Sequence, residues 1–278
     1  MHITKFENLK YFSKNKYQRI YWGVEFCQNL IPNLAATKMA LRLAEENGLH
    51  FTLITPFVTD TGLKRLIEIF TWFKGHKLKP EIVVNDWGLA WYLHNEFGGY
   101  FELSLGRLLA RQNRNPLMKK FFQKHPPSAF RDKSGKISLI FYRGPGQSCQ
   151  QEASSSYVAV ASLQKFMVKL GIKRIELNNT FQGLNLAGIR LKKTVYTPYV
   201  NISTTRFCPM ESKLQKTYRI DVCKRECQNY YYILRNKIIG PVAIYKRGST
   251  IFYKNPLDME KAQEIGVDRV VFQPQVPL

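Results

Sequence analysis

Short apolar runs alternate with segments of helical periodicity through the first part of the chain. The apolar runs predict strands at residues 19–22, 50–54, 81–84 and 100–105. The intervening patterns predict helices over residues 34–47, 60–75 and 87–94. A repeating strand–helix order predicts a parallel sheet with right-handed crossovers. This order is typical of a β/α barrel and of an open doubly wound sheet, and the pattern does not choose between them.

The predicted helices begin at residues that commonly cap helices. Asn33 precedes the first helix, and Thr59 or Asp60 precedes the second. Gly48 follows the first helix as a stop signal. The residues that we expect near the buried side of the first helix are Ala35, Met39, Leu41 and Leu43.

The strand–helix order is interrupted after residue 111 and then resumes. Residues 112–136 are basic and contain three prolines, which indicates an excursion from the sheet. A segment rich in Gly, Ser and Gln follows and is typical of a loop. We expect a helix at residues 116–124, a strand at 137–142 and a loop at 143–156. A helix at 157–170 and a strand at 174–177 then resume the order.

From about residue 188, strand-like segments dominate the chain. Arg247, Gly248 and Ser249 form a typical hairpin turn between two of them. We expect a single domain over residues 1–278, with β/α repeats over 1–187 and a β-rich portion over 188–278. The expected strands of that portion lie at residues 193–202, 230–234, 241–245, 250–253 and 269–272.

The composition is that of a folded protein. The chain has 278 residues, of which 45% are hydrophobic and 13% aromatic, enough to bury a large core and far from a disordered composition. No apolar run reaches the roughly 18 residues that a membrane-spanning helix needs. The first residues lack the apolar centre of a signal peptide, so we expect a cytoplasmic location.

The chain carries a formal net charge of +22, from 42 basic and 20 acidic residues. One interpretation is a polyanionic partner such as RNA, or an anionic metabolite. The other is a solvated basic surface. Net charge bears on solubility and association rather than on fold, so both interpretations stay open.

Five cysteines in a chain without an export signal indicate metal or redox chemistry rather than disulfide bonds. Cys223 and Cys227 are separated by three residues, and on one helical turn their thiols would face the same side. A stretch of fourteen residues separates them from Cys208, which is long enough to fold back.

A fourth cysteine is available near the start of the chain. Cys27 follows the first strand, and in a β/α barrel the loops after the strands gather at one face. Cys149 is then left over. The basic residues Arg206, Lys224 and Arg225 would lower thiol pKa values and offset the charge of four thiolates.

These spacings leave buried structural cysteines, a zinc site and an iron–sulfur cluster open. Zinc sites usually show paired short spacings or nearby histidines, and all five histidines lie in the first half of the chain. That distribution favours iron–sulfur. A third close cysteine, as in radical-SAM proteins, is missing after Cys227, where Gln228, Asn229 and Tyr230 follow. Four thiolates would cap every iron of a [4Fe–4S] cluster, which could transfer electrons, sense oxygen or stabilise the fold.

The cysteine neighbourhoods resemble a known family. Gly-x-x-x-Cys ends at Cys27, Thr-x-Arg-x-Cys ends at Cys208, and a close cysteine pair follows. This order resembles the collagenase-like peptidase U-thirty-two family, most closely its UbiV-like branch, and residues 84–88 and 105–109 are also similar to members of it. The resemblance implies a TIM-barrel-like parallel β/α barrel with a β-rich C-terminal portion that carries the cysteine cluster. It also implies a [4Fe–4S] cluster, with Cys149 matching no ligand and the ligands being Cys27, Cys208, Cys223 and Cys227.

The family resemblance also implies a range of functions. The first expectation is oxygen-independent hydroxylation of a quinone-like or aromatic substrate, in a heterodimer with a related family member. The alternatives are hydroxylation of tRNA or ribosomal RNA, and a collagenase-like peptidase. The chain has no arrangement typical of a protease and no separate C-terminal domain of the longer RNA-modifying members.

Polar residues after the predicted strands are candidates for binding a substrate, since barrel sites lie at that face. Each also has a structural interpretation: Asp86 could cap the next helix and Asn179 could form a turn. Arg107 is the strongest candidate for an anionic substrate. The aromatic run 230–232 could stack on bases or simply alternate along a strand. The substrate-binding candidates are Asn85, Asp86, Arg107, Glu176, Asn179 and Arg206.

Overall fold

The computed structural model describes residues 1–13, 16–122, 128–140, 146–206, 208 and 223–278. The α-helices within these ranges are α1 (Leu34–Glu46), α2 (Asp60–Gly75), α3 (Trp87–Phe97), α4 (Met118–Phe121), α5 (Gln147–Ser154), α6 (Ala161–Lys169) and α7 (Met259–Glu264). The strands are β1 (His2–Ile3), β2 (Arg19–Gly23), β3 (His50–Ile54), β4 (Glu81–Val84), β5 (Glu102–Leu105), β6 (Ser128–Arg131), β7 (Ile137–Ile140), β8 (Ile172–Asn178), β9 (Lys192–Thr197), β10 (Tyr199–Thr204), β11 (Tyr232–Leu234), β12 (Ile244–Arg247), β13 (Thr250–Lys254) and β14 (Arg269–Phe272).

Eight strands form one sheet in the order β1–β2–β3–β4–β5–β8–β9–β14, and every neighbouring pair is parallel. The sheet nearly closes on itself, and the Gln273 amide after β14 reaches the His2 ring of β1 at 3.3 Å. Helices flank the sheet. The architecture is therefore a TIM-barrel-like β/α fold, which confirms the fold class and excludes the open doubly wound sheet.

The helix caps lie where the sequence predicts them, whereas the buried face of α1 matches the expectation only in part. The Asn33 side chain accepts a hydrogen bond from the Ala36 amide at 2.8 Å, and α2 begins directly after Thr59. Ala35 and Met39 are exposed, so their expected burial was wrong. Leu41 is buried as expected, and the stripe against the sheet recurs every three to four residues at Thr37, Ala40, Leu41 and Ala44.

The segment between β5 and β8 differs most from the expectation. The apolar residues after 136 do form a strand, but β7 pairs with β6 in an antiparallel hairpin outside the barrel sheet. Asp132 stabilises the turn, since its carboxylate accepts hydrogen bonds from the amides of Ser134 and Lys136. The predicted loop over 143–156 contains α5 instead, and residues 141–145 lie outside the described ranges.

A second, antiparallel sheet has the order β10–β13–β12–β11. The predicted strand 193–202 is two strands, separated at Pro198, which has no backbone N–H to donate. Its first half, β9, belongs to the barrel and its second half, β10, to the small sheet. The turn at Gly248 and Ser249 joins β12 to β13 as predicted. The boundary after residue 187 therefore does not separate barrel from small sheet, because β9 and β14 complete the barrel.

Charged groups occupy the barrel interior together with apolar ones. Glu81 accepts a hydrogen bond from Arg269 at 2.7 Å and lies 3.8 Å from Arg174. The Tyr21 hydroxyl accepts from Arg269 at 2.6 Å. No helix in the described part of the chain has the length and apolarity to cross a bilayer.

Candidate metal centre

Four of the five cysteines line one cavity of ≈ 260 Å³. Cys27 lies in the loop after β2, Cys208 follows β10, and Cys223 and Cys227 precede β11. The fold thus brings together residues from the two ends of the sequence. These four are the residues that the sequence predicts as ligands.

Packing between the barrel and the small sheet positions Cys27. The preceding residue, Phe26, is buried, and its ring meets the Phe252 ring of β13 edge-on at 5.3 Å between centroids. The Ser249 hydroxyl, in the turn before β13, donates to the Phe26 carbonyl at 3.4 Å. The loop that carries Cys27 is therefore held against the small sheet from which the other three cysteines extend.

Arg247 positions the backbone at Cys227. Its guanidinium is buried and donates to the carbonyls of Cys227 at 2.7 Å, Val276 at 2.5 Å and Gln228 at 3.3 Å. Three backbone acceptors are thereby tied to one side chain at the end of β12. The positive charge also lies next to the Cys227 thiol.

The close cysteine pair does not lie on a helical turn, so that expectation was wrong. Residues 223–225 have no regular structure, and Arg225 has a left-handed conformation with φ +56°. Only Glu226–Gln228 form a short 3₁₀ turn. The two thiols share a cavity because the chain turns sharply between them. The three residues that separate the cysteines in the sequence do not indicate this turn.

Burial raises the pKa of the Cys227 thiol to about 11, and the nearby Cys27, Cys208 and Cys223 act in the same direction. Arg247 opposes them. The expectation that cationic neighbours lower the thiol pKa is therefore wrong for Cys227, because burial outweighs them. With this pKa the Cys227 thiol keeps its proton at neutral pH, and a metal cation would have to displace that proton to bind there, since coordinating thiols are deprotonated.

The cavity is larger than a single ion requires. Its ≈ 260 Å³ is many times the roughly 10–15 Å³ that a single water-sized sphere requires. In the described part of the chain, no group of three or more His, Cys, Asp or Glu side chains is arranged to hold a metal ion. The fit of a metal centre therefore rests on the shared cavity and on four sulfur donors, which suit iron–sulfur clusters.

Asp86 and Asn85 are held by the backbone of the barrel loops. The Asp86 carboxylate accepts from the amides of Gly88 at 2.8 Å and Leu89 at 3.3 Å, so it caps α3. Asn85 donates to the Thr55 carbonyl at 2.9 Å, and its amide oxygen accepts from the Leu108 amide at 3.2 Å. The structural interpretation thus accounts for Asp86, whereas Asn85 also borders a second cavity.

Arg107 is fully buried and does not offer its charge to a substrate. Its guanidinium forms a bidentate ion pair with Glu25, the shortest N···O distance being 2.6 Å. It also donates to the Asn178 side chain at 3.1 Å and to the Tyr199 carbonyl at 2.8 Å. The expectation that Arg107 binds an anionic substrate conflicts with this burial, because the internal carboxylate already occupies it.

Glu176 and Asn179 are also internal. Glu176 accepts from the Tyr21 hydroxyl at 3.4 Å, and burial, reinforced by Glu81, raises its pKa to about 8. Asn179 donates to the carbonyls of Asn255 at 3.0 Å and Pro256 at 3.2 Å. Neither residue lines the cysteine cavity, and Asn179 joins the end of β8 to the loop after β13.

Arg206 lies in the wall between the cysteine cavity and a second, more open cavity of ≈ 360 Å³. The guanidinium carbon is 5.6 Å from the centroid of Phe57, which also borders both cavities. Arg114 borders the second cavity. Sequence reasoning missed Arg114 and Phe57; the basic character of residues 112–136 was the signal for Arg114.

Two further expectations concern residues away from the cysteine cavity. Cys149 is exposed in α5, as expected of a cysteine that is not a ligand. The rings of Tyr230 and Tyr232 contact each other at 5.8 Å, whereas Tyr231 contacts Tyr245 at 6.0 Å. This is the alternation typical of an extended chain.

Comparisons with known proteins found no matching family model, no matching curated protein and no matching solved structure.

Proposed function

We propose that the chain binds a [4Fe–4S] cluster through Cys27, Cys208, Cys223 and Cys227, as a cytoplasmic member of the collagenase-like peptidase U-thirty-two family. The observation that carries the proposal is the cavity that these four residues share. Four thiolates satisfy the ligand requirement of such a cluster without a histidine. The basic side chains nearby would offset its negative charge.

We further propose that the protein supports oxygen-independent hydroxylation of a quinone-like or aromatic substrate, together with a related family member. A bound cluster would supply one-electron chemistry. The chain's own residues have other tasks: Arg247 holds the backbone at Cys227, and Phe57 and Arg206 separate the cysteine cavity from the neighbouring one. A substrate in that neighbouring cavity would lie close to the cluster without binding it.

Iron and sulfide analysis of anaerobically purified protein tests the cluster. We expect brown protein with absorbance near 400 nm and about four irons and four sulfides per chain. Single Cys→Ser changes at residues 27, 208, 223 and 227 should each lower both contents, and the matched control Cys149→Ser should not. Colourless protein with stoichiometric zinc would refute the cluster.

An anaerobic assay tests the hydroxylation. Cluster-loaded protein, its related partner, a phenolic quinone precursor and a chemical electron acceptor should give a product heavier by one oxygen atom. The acceptor takes the two electrons that are released when a hydroxyl group from water replaces a ring hydrogen, and two protons go to solvent. Oxygen-18 water would then report whether the added oxygen comes from solvent. Full activity with the Cys27→Ser variant would separate the reaction from the cluster and overturn this part of the proposal.

The net charge of +22 favours RNA as a second candidate substrate. A protein that neutralises several phosphates loses affinity steeply as salt rises. Binding of tRNA should therefore fall by at least about a hundredfold between 50 and 200 mM salt. Absent or salt-insensitive binding would remove this candidate.

A further inference from the structure

The second cavity has the composition of a ligand site. It lies at the face where the barrel strands end, since Asn85 follows β4, Leu108 follows β5 and Phe57 follows β3. Ligands of β/α barrels bind at this face. Its ≈ 360 Å³ is at the lower end of the range for small-molecule sites, which suits a ligand built on one ring.

Within the described part of the chain, the two arginines that border this cavity have no acidic partner. None of the ion pairs between described residues includes Arg114 or Arg206. Arg114 is half-buried and donates to the Asn201 side-chain oxygen, which leaves most of its guanidinium donors for other acceptors. Burial lowers the pKa of Arg114 to about 10, and the nearby Arg107 acts in the same direction. A cation in this position is stabilised by a bound anion.

The other lining residues indicate the rest of the ligand. Phe57 and Leu108 offer apolar surfaces, and the Ser203 hydroxyl can donate to an oxygen atom. The Thr204 hydroxyl also borders the cavity, but it already shares a hydrogen bond of 2.9 Å with the Thr250 hydroxyl. Asn85 is already fixed by its hydrogen bonds to Thr55 and Leu108. A flat apolar group could therefore pack against Phe57 and Leu108, and a carboxylate could accept hydrogen bonds from the arginines.

We propose that this cavity binds a small aromatic carboxylate, with its charge between Arg114 and Arg206 and its ring against Phe57 and Leu108. Arginine suits this role because its planar guanidinium matches a carboxylate with two parallel hydrogen bonds. The site shares Phe57 and Arg206 with the cysteine cavity but uses none of the four thiols, so it stands whether or not they bind a cluster. If they do, it places the ligand next to the cluster.

Calorimetric titration of benzoate and benzamide into the full chain tests the proposal. The two probes share their shape, but only benzoate is charged. Benzoate should bind at least about tenfold more tightly than benzamide, with or without iron in the protein. Inorganic phosphate should bind more weakly than benzoate, because it lacks the ring. Equal binding of benzoate and benzamide, or phosphate binding as tight as benzoate, would overturn the assignment.

Substitutions separate the cavity from the general charge of the protein. Arg206→Gln and Arg114→Gln should each weaken benzoate binding at least about tenfold, while Phe57→Leu should weaken it a few-fold. Arg131→Gln is the matched control, because Arg131 is an exposed arginine of the β6–β7 hairpin. If Arg114→Gln does not fold, the Arg206→Gln variant still tests the site, because Arg206 is exposed. An equal loss in Arg131→Gln, or no loss in Arg206→Gln, would refute the site.

Discussion

The guanidinium of Arg107 lies 2.6 Å from the carboxylate of Glu25, and neither side chain is accessible to solvent. The pair joins the loop after β5 to the loop after β2, two residues before Cys27. An internal ion pair at the carboxyl face thus supports the loop that carries the first predicted cluster ligand. It occupies the place where the sequence alone suggests substrate binding.

Arg107→Met should lower the free energy of unfolding by about 3–5 kcal/mol, because it leaves the Glu25 carboxylate buried without its partner. The double variant Glu25→Met/Arg107→Met removes both charges and should recover at least about 1 kcal/mol of that loss. Urea denaturation of the three proteins measures these differences. If the double variant were less stable than Arg107→Met, the unpaired Glu25 carboxylate would not be the main cause of the loss of stability.

Asp86→Ala should lower the free energy of unfolding by about 0.5–2 kcal/mol through loss of the α3 cap. Asp86→Asn keeps a side-chain oxygen at the cap and should lose only a few tenths of a kcal/mol. Thermal unfolding monitored by circular dichroism provides the comparison. Benzoate affinity should be unchanged in both variants; a tenfold loss in Asp86→Asn would return Asp86 to the ligand site.

Stability should depend on pH through Glu176. Burial raises the pKa of Glu176 to about 8 in the folded protein, against an ordinary value of 4.5. Between these values the unfolded chain releases the proton and the folded protein keeps it, so the free energy of unfolding falls as pH rises. Glu176→Gln cannot release a proton there. The free energy of unfolding of Glu176→Gln, relative to that of the parent protein, should therefore rise by at least about 1 kcal/mol from pH 5 to pH 8.

Urea unfolding of the parent and of Glu176→Gln at several pH values measures this difference in the free energy of unfolding. The groups that surround or influence the carboxyl group are present in both proteins, so most of their own contributions cancel. These groups are Tyr21, Tyr196, Glu25, Glu81, Arg174 and Arg269. A constant difference between the two proteins across this pH range would show that Glu176 ionises normally.

Gly248→Ala should disturb the cysteine cavity more than a comparable change elsewhere. Gly248 has φ +55°, and an added Cβ would lie 3.4 Å from the Cys227 Cβ and 3.3 Å from Leu278. Gly240 has φ +75° with nothing within 4 Å, so Gly240→Ala is a matched control. Both changes should cost about 1–2 kcal/mol for the left-handed backbone. Only Gly248→Ala should lower the iron content; equal iron in both variants would refute the effect.

Hydrophobic periodicity predicted most of the barrel strands because each is a short apolar run with a local signal. It missed β1, which has only two residues, and it joined β9 to β10. The strand at 269–272 matches β14 without error, and 50–54 and 81–84 match β3 and β4. Hydrophobic periodicity does not indicate which strand pairs with which. Residues 137–140 are a strand in sequence and in structure, yet β7 pairs with its own hairpin rather than with the barrel.

The candidate site was predictable where it depended on residue type and unpredictable where it depended on burial. Four cysteines in this order indicated a common centre, and they line one cavity. The surroundings of Arg107 depend on Glu25, Asn178 and Tyr199, which are remote in sequence. No local pattern shows that an arginine after a strand will turn inward. Arg114 carried no sequence signal beyond its basic segment.

The barrel sheet begins with β1 at His2 and ends with β14 at Phe272, on the far side of the segment that contains Cys208, Cys223 and Cys227. During synthesis, the four cysteines that line the cavity are therefore all present before the barrel sheet is complete. Such long-range pairing is slow to form and leaves intermediates exposed. If the protein binds an inorganic cofactor, delivery to the nascent chain would meet loose thiols, so we expect loading to follow release from the ribosome.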